Sequence, residues 1–291
     1  MPDAPRYPSR MALYHLIEPG PPIIDPIVVA AFDGWVDAGS AATNVLSILG
    51  DEAEPVATFD PDQLFDYRSR RPTLEIHDGR LTSLAWPEVS LRLARFSGLD
   101  LLVLTGSEPD DRWHLLADSV VTILQGLGAR GWISLGAIPA AVPHTRPVPI
   151  LGTESEAGLL RGGVTAGPTG ILRVPSAALS MLEIAVSDAG IPAVGYFAQI
   201  PHYVQGPYAP ASVELMRAVE RHLDVELPRG DLANEARELR IRLDAATAAD
   251  DTTRQYVERL EAMVDESRQP AGDDLITEIE RYLRDQSTGS T

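Results

Sequence analysis

Two aspartates four residues apart, Asp33 and Asp37, flank Trp35 in the stretch AFDGWVDAGSAA, behind an apolar run and ahead of a train of small residues. Carboxylates placed where a strand hands over to a helix have two uses. They accept from the helix's unpaired N–H groups, a cap worth on the order of 1 kcal/mol, or they act with a neighbouring base as proton donors and acceptors in a reaction. Other residues with suitable chemistry lie in further stretches. FDYRSRRP gathers Arg68, Arg70 and Arg71 within an acidic chain, and arginines favour bidentate pairing with carboxylate or phosphate. Asp33, Asp37 and Asp66 are their candidate internal partners. TGSEPDDRWH places Glu108 just past another apolar run, suited to accept from the amides of the next helix with Trp113 packing below. GAIPAAVPHTRPVPI carries His144, Thr145 and Arg146 among Pro139, Pro143, Pro147 and Pro149, which restrict the chain to extended or turn conformations. Such a rigid segment suits a site wall or a subunit contact. GPTGI and GYFAQIPHYV add Thr169, His202 and Tyr203.

The ligand or interface candidates are therefore Asp33, Trp35, Asp37, Arg68, Arg71, Glu108, His144, Arg146, Thr169, His202 and Tyr203, with no catalytic set among them and no metal site. Convergence of His144, Arg146 and Arg68 with Asp33 or Glu108 in one cleft would suit a hydrolase or transferase acting on a small anion such as a nucleotide or carboxylate. Dispersal of these groups would leave an interaction surface. Known signatures do not decide for catalysis. Gly34 to Gly39 has the spacing of a phosphate-binding glycine loop, but Ser40-Ala41 stands where Lys and Ser/Thr are needed. The dinucleotide fingerprint, the G-x-S-x-G elbow and H-E-x-x-H are all missing. Six histidines lie far apart without metal-ligand spacing, and there is no cysteine, so thiolate chemistry and disulfides are excluded. No cofactor is expected.

The elements that must position these residues alternate. Ile27 to Phe32, Val56 to Phe59, Leu99 to Thr105, Gly131 to Ile138 and Ala193 to Ile200 have the length and apolar character of buried strands. Ala38 to Leu49, Asp111 to Leu127, Pro175 to Ala189 and Pro210 to Leu223 have helical length and periodicity, with Asp111 and Ser176 as candidate caps. Between Phe65 and Trp86, Asp78-Gly79 predicts a hairpin, because that pair supplies the positive φ values of a tight turn. This alternation predicts an α/β/α architecture with helices on a mixed, largely parallel sheet.

The domain reading is a loose segment 1–22, a core 23–228 and a helical extension 229–291. In the extension Leu232, Ala236, Leu239, Leu243 and Ala246 form one amphipathic stripe; Val257, Leu260 and Val264 continue it, and Ile276, Ile279 and Leu283 mark a final helix. Such stripes pack on the body or on each other, or else bind a partner. With 24 Lys plus Arg against 42 Asp plus Glu, the net charge of -18 repels nucleic acid and anionic membranes. No stretch has the length of a membrane span or a signal peptide, which makes the cytoplasm the expected compartment.

In their order along the chain, FDGWVDAGSAA, YRSRRP, GSEPDDRW, GAIPAAVPHTRPVP, GPTGI and GYFAQIPHYV resemble the proteasome assembly chaperone 2 family, in its actinobacterial branch. The resemblance runs over roughly Ile27 to Leu223. It implies a three-layer α/β/α body similar to the purine nucleoside phosphorylase fold, and a protein of assembly-chaperone type that self-associates, a trimer favoured over a dimer, with proteasome subunits or other proteins as partners. One departure bears on that expectation. Members that dock on proteasomes end in a hydrophobic residue, Tyr and one more residue, whereas this sequence ends STGST with Tyr282 internal. A carboxylate–amine ligase activity, attached to some similar sequences, would call for phosphate-facing Lys or a glycine loop, which the sequence does not supply.

Overall fold

The computed structural model describes residues 12–17, 22–164, 166–168 and 170–267. The apolar runs become the centre of an eight-stranded sheet. Its strands are β1 (Tyr14–Leu16), β2 (Ile27–Asp33), β3 (Glu54–Phe59), β6 (Val89–Phe96), β7 (Leu99–Ser107), β8 (Gly131–Ala140), β9 (Ile150–Glu154) and β10 (Ala193–Pro201), in the order β1-β3-β6-β7-β2-β8-β10-β9. β7, β2, β8 and β10 run parallel, whereas β6, β3, β1 and β9 join antiparallel. Parallel pairing is thus confined to the four central strands. The reason is connection length: only Ser97-Gly98 separates β6 from β7, too short for a parallel crossover. β4 (Thr73–His77) and β5 (Arg80–Ala85) form the predicted hairpin as a separate two-stranded sheet, with Asp78 and Gly79 both at positive φ. β1 lies within the segment expected to be loose and pairs with β3. The predicted helix around Ile276, Ile279 and Leu283 lies outside the described residues.

Both faces of the central strands are covered, so their sequences read as unbroken apolar runs. Alternate residues divide between two cores. Val28, Ala30 and Phe32 of β2 face α3 (Trp113–Gly126) and α4 (Ala178–Asp188), together with Leu64 of the short α2 (Pro61–Leu64). Val29 and Ala31 face α1 (Ala41–Leu49) and α5 (Ala209–Leu223). The result is the three-layer arrangement expected. Neither proposed cap is used. Arg112 adopts a left-handed conformation and delays α3 to Trp113, past Asp111; α4 starts after Ala177, and the Ser176 hydroxyl bonds the Ala177 carbonyl instead.

The extension forms two helices, α6 (Leu232–Ala249) and α7 (Asp251–Ser267). Leu232, Val257 and Leu260 are buried, while Ala246 is exposed and Thr247 is half-buried. These helices pack on their own body, α6 against α5 and α7 against α6.

Candidate functional site at the strand-end rim

Because β7, β2, β8 and β10 are parallel, the loops after all four leave by one edge of the sheet, where ligands of open α/β sheets usually bind. The side chains on that edge form two separate networks.

The first is built around Asp33, which sits opposite Ser107 at the ends of β2 and β7. Asp33 Oδ1 accepts from Arg70 Nη1 at 2.8 Å and from the Glu108 amide at 3.1 Å, while Oδ2 accepts from the Ser107 hydroxyl at 3.1 Å. Glu108 in turn accepts from the Trp35 amide at 3.3 Å and from the Ala178 amide at 2.8 Å. It therefore holds the first residue of α4 rather than the amides of α3, the next helix in the chain; Trp113 bonds the Pro109 carbonyl with its indole N–H. The arginine that reaches Asp33 is Arg70. The Arg68 side chain is 89% exposed and pairs with the half-buried Asp66, and Arg71 is exposed. Nothing in the sequence distinguishes Arg70 from its neighbours, because the loop is held by tertiary and turn contacts: the Asp66 amide donates to Asp110 at 3.0 Å, and the Ser69 and Arg70 amides donate to the Asp66 carbonyl.

Asp37 links this network to the helical layer. Its backbone bridges to Ala137 of β8, and its carboxylate turns back to accept from the amides of Ala42 at 2.8 Å and Thr43 at 3.3 Å and from the Thr43 hydroxyl. The helix it caps is α1, starting at Ala41, not one starting at Ala38. Gly39 and Ser40 intervene in left-handed conformations as part of a tight 3-10 turn, which brings the carboxylate round to the helix amides. A Cβ on Gly39 would also lie 2.8 Å from the Cβ of buried Tyr208. Asp37 is 8% exposed, and burial raises its pKa above the usual carboxylate value.

The second network lies past β8 and β10. His144 is 4% exposed. Its amide donates to the Tyr203 hydroxyl at 2.8 Å, and the same hydroxyl lies 2.6 Å from His144 Nδ1; Nε2 lies 3.3 Å from Asp244 Oδ1. Burial, then Arg240, lowers the His144 pKa. His202 Nδ1 donates to the Ala140 carbonyl at 2.9 Å, and its Nε2 accepts from the Tyr256 hydroxyl at 2.9 Å. Arg146 makes a two-pronged pair with Asp265, at 3.0 and 2.7 Å, and reaches Glu261 at 3.0 Å. α6 and α7 thus close over the loop from β8: Arg240 donates to the His144 carbonyl, and Thr145 bonds Glu261.

No hydrogen bond or ion pair among the described residues joins His144 or Arg146 to Asp33, Asp37 or Glu108. Both oxygens of each of these three carboxylates are engaged by fixed internal donors, so the geometry locks loops together. Thr169 lies outside the described residues, and the Trp35 side chain stands in solvent at 65% exposure. No group of three or more potential metal ligands occurs among the described residues, and no described helix is long and apolar enough to cross a membrane. A cleft of about 430 Å³ beside His144, Arg146, Tyr208 and Arg240 is the rim's own cavity; one of about 620 Å³ lies elsewhere, lined by Ser47, Asp51, Glu54, Arg95 and Pro228.

The same order of motifs and the same architecture recur in known proteins. The model of the PAC2 family matches residues 31–247. The chain belongs to the PAC2 family. Among solved PAC2-like structures, the Mycobacterium tuberculosis proteasome-assembly chaperone homologue Rv2125 is 34% identical with a TM-score of 0.73, the match covering 79% of this chain and 99% of that one. A Corynebacterium glutamicum protein of unknown function is 30% identical with a TM-score of 0.83, over 88% and 98% of the two chains. Mycobacterium tuberculosis Rv2714, also of unknown function, is 33% identical with a TM-score of 0.82, over 90% and 94%. Nothing among curated proteins matches the sequence. The PAC2 match spans the first rim network, the β8 and β10 loops of the second and most of α6, and it ends before the α7 residues Tyr256, Glu261 and Asp265.

Proposed function

We propose that this PAC2 protein is a non-catalytic, self-associating interaction protein of assembly-chaperone type, with proteasome subunits as its first candidate partners. The observation that carries this reading is the use of the rim carboxylates. Asp33, Asp37 and Glu108 spend both oxygens on internal donors, whereas a general base needs a substrate proton within reach. The likeness to a proteasome-assembly chaperone homologue at 34% identity supports the choice of partner. The alternative, a hydrolase or transferase for a small anionic substrate, requires His144, Arg146 and Arg68 to meet Asp33 or Glu108. They are instead held in separate networks.

Light scattering of the purified chain at micromolar concentration, followed by co-expression with proteasome α and β subunits and native electrophoresis, tests the reading. A stable oligomer that co-migrates with those subunits is expected. A monomer that recovers no subunit overturns it. A thermal shift on adding nucleotides or small carboxylates, lost on Arg146→Ala substitution, would favour the alternative.

A further inference from the structure

The end of the sheet opposite the rim carries a cavity of about 220 Å³. It lies where β8 and β10 begin, beside Trp132 and Pro192, and its walls include Leu159 and Arg161 from the segment after β9, His222 near the end of α5, and Arg130. Three of its lining residues are basic and none is acidic, in a chain of net charge -18. Like charges gathered at an apolar wall repel unless an opposite charge joins them. The chain supplies none. Among the described residues neither Arg130 nor Arg161 forms an ion pair, and the Arg130 side chain makes no hydrogen bond. Asp25 and Asp100 stand with Arg130 on a neighbouring cleft, but Asp100 is engaged by Arg95 at 3.2 Å and by the Ile24 amide at 2.7 Å.

The wall that carries Arg161 is built rather than loose. Glu154 accepts with one oxygen from the amides of Gly158, Leu159 and Leu160 at 3.0, 2.9 and 3.1 Å, which folds the turn before Arg161 and commits that carboxylate elsewhere. The Arg161 amide donates to the Tyr196 hydroxyl at 3.3 Å, and its Nη1 donates to the Gly158 carbonyl at 2.7 Å. The rest of the guanidinium fork is unused among the described residues. The Tyr196 hydroxyl also lies 2.8 Å from His222 Nδ1, so Nε2 is the remaining ring nitrogen. Burial, then the charge of Arg161, lowers the His222 pKa, with no carboxylate acting against them. Arg221 adds positive charge at this corner, lying so close over Gly162 that a Cβ there would stand 2.7 Å from its Nε.

We propose that this cavity is a binding site for a small oxyanion, a phosphate or the phosphate group of a small monoester, held between Arg130 and Arg161 with His222 Nε2 as a further hydrogen-bonding group. The site is independent of the rim and of the self-association proposed above. Three features select the ligand. Guanidinium forks match the paired oxygens of phosphate. Two of them balance a dianion, whereas one carboxylate would leave a guanidinium unpaired. A volume of about 220 Å³ admits a phosphate with a few further atoms, below the roughly 300 Å³ at which sites for larger organic ligands begin.

Calorimetric titration of the full-length chain with inorganic phosphate in about 0.15 M NaCl, with the histidine ring signals followed by NMR, tests the site. Expected are one saturable event per chain with a dissociation constant of about 1 mM or tighter, and a rise in melting temperature of about 3 °C at ten times that concentration. The His222 signal, identified by its loss in His222→Gln, should move while that of His144 stays. Arg130→Ala removes no contact within the chain and Arg161→Ala removes one side-chain hydrogen bond, so both should keep the wild-type circular dichroism, and each should weaken phosphate binding about tenfold or more. Arg146→Ala, at the opposite rim, should bind as wild type. The absence of saturable heat up to about 10 mM phosphate overturns the site, and so does full binding in both Arg130→Ala and Arg161→Ala. Binding lost in Arg146→Ala instead places the anion at the rim cleft and overturns this assignment. An equal thermal shift from acetate or added chloride shows general screening and overturns it too. Where the site stands, glycerol phosphate binding tighter than inorganic phosphate identifies a monoester as the ligand, and weaker binding identifies free phosphate.

Discussion

Replacing Asp37 by Ala tests whether the first aspartate–helix junction is held as described. The substitution removes the acceptor for two amides and a hydroxyl at the start of α1, and the Ala42 amide it strands is buried. Loss of a helix cap costs about 1 kcal/mol and up to about 2, and a buried orphan donor costs about 1–3 kcal/mol. Part of this overlaps, and part is offset because the variant no longer buries a carboxylate, whose raised pKa records that penalty. A net destabilisation of about 2 kcal/mol follows, or roughly 4–8 °C in melting temperature for a domain of this size. Asp37→Asn keeps one acceptor oxygen and should lose about half as much. Urea titration followed by circular dichroism reads both values. If Asp37→Ala lies within about 0.5 kcal/mol of wild type, or if Asn is as damaging as Ala, the capping argument is refuted.

Three other outcomes are expected. Gly106→Ala should destabilise the fold by at least about 3 kcal/mol, because Gly106 has φ 146° and a Cβ there would lie 1.9 Å from the Glu88 carbonyl oxygen; a melting temperature equal to wild type would contradict this. His144 and His222 both have pKa values lowered by burial, so below the ordinary value of about 6.5 the unfolded chain takes up protons that the folded chain refuses. Stability should be full above that pH and fall as the pH drops from it toward the lowered folded values, with a smaller slope in His144→Gln; the raised Asp37 value acts in the opposite sense, at lower pH. Urea midpoints measured at pH 7.5 and 5.5 check this, and equal midpoints would count against it. Arg146→Ala removes the contacts to Glu261 and Asp265, and hydrogen exchange should accelerate several-fold in α7 while β2 and β7 stay protected; unchanged exchange in α7 would show that its apolar stripe alone holds it.

Much of the body was legible because its central strands are buried on both faces, and that leaves an apolar run which turn residues delimit. β6 was missed for the opposite reason. In VSLRLARF the inward residues alternate with Ser90 and Arg92, and the two-residue link to β7 merges it with the next run. β9 is five residues long, half-buried and preceded by proline, so neither length nor composition marks it. The hairpin was marked by Asp78-Gly79, yet its one-sided aliphatic face, where Leu74 pairs with Leu84 and Ile76 with Leu81, was hidden by the bulge at Thr82 in that register, since strict alternation separates Leu81 from Leu84. At the rim the residue types were readable but their partners were not. Asp33 selects Arg70 from three arginines through tertiary packing, and Glu108 caps a helix seventy positions away in the chain.

The bulge at Thr82 makes the hairpin sensitive to chain length in a way that side-chain chemistry is not. Adding one residue between Glu75 and Ile76, opposite Thr82, would flatten the bulge into regular alternation and swing Ile76 and Leu81 round to the side of Glu75, splitting the aliphatic row from Leu74 and Leu84 although all four side chains are still present. Within this family, a relative that has kept the leucines but gained one residue in the facing strand would have lost the surface, and counting the gap is a quicker guide to that than scoring likeness.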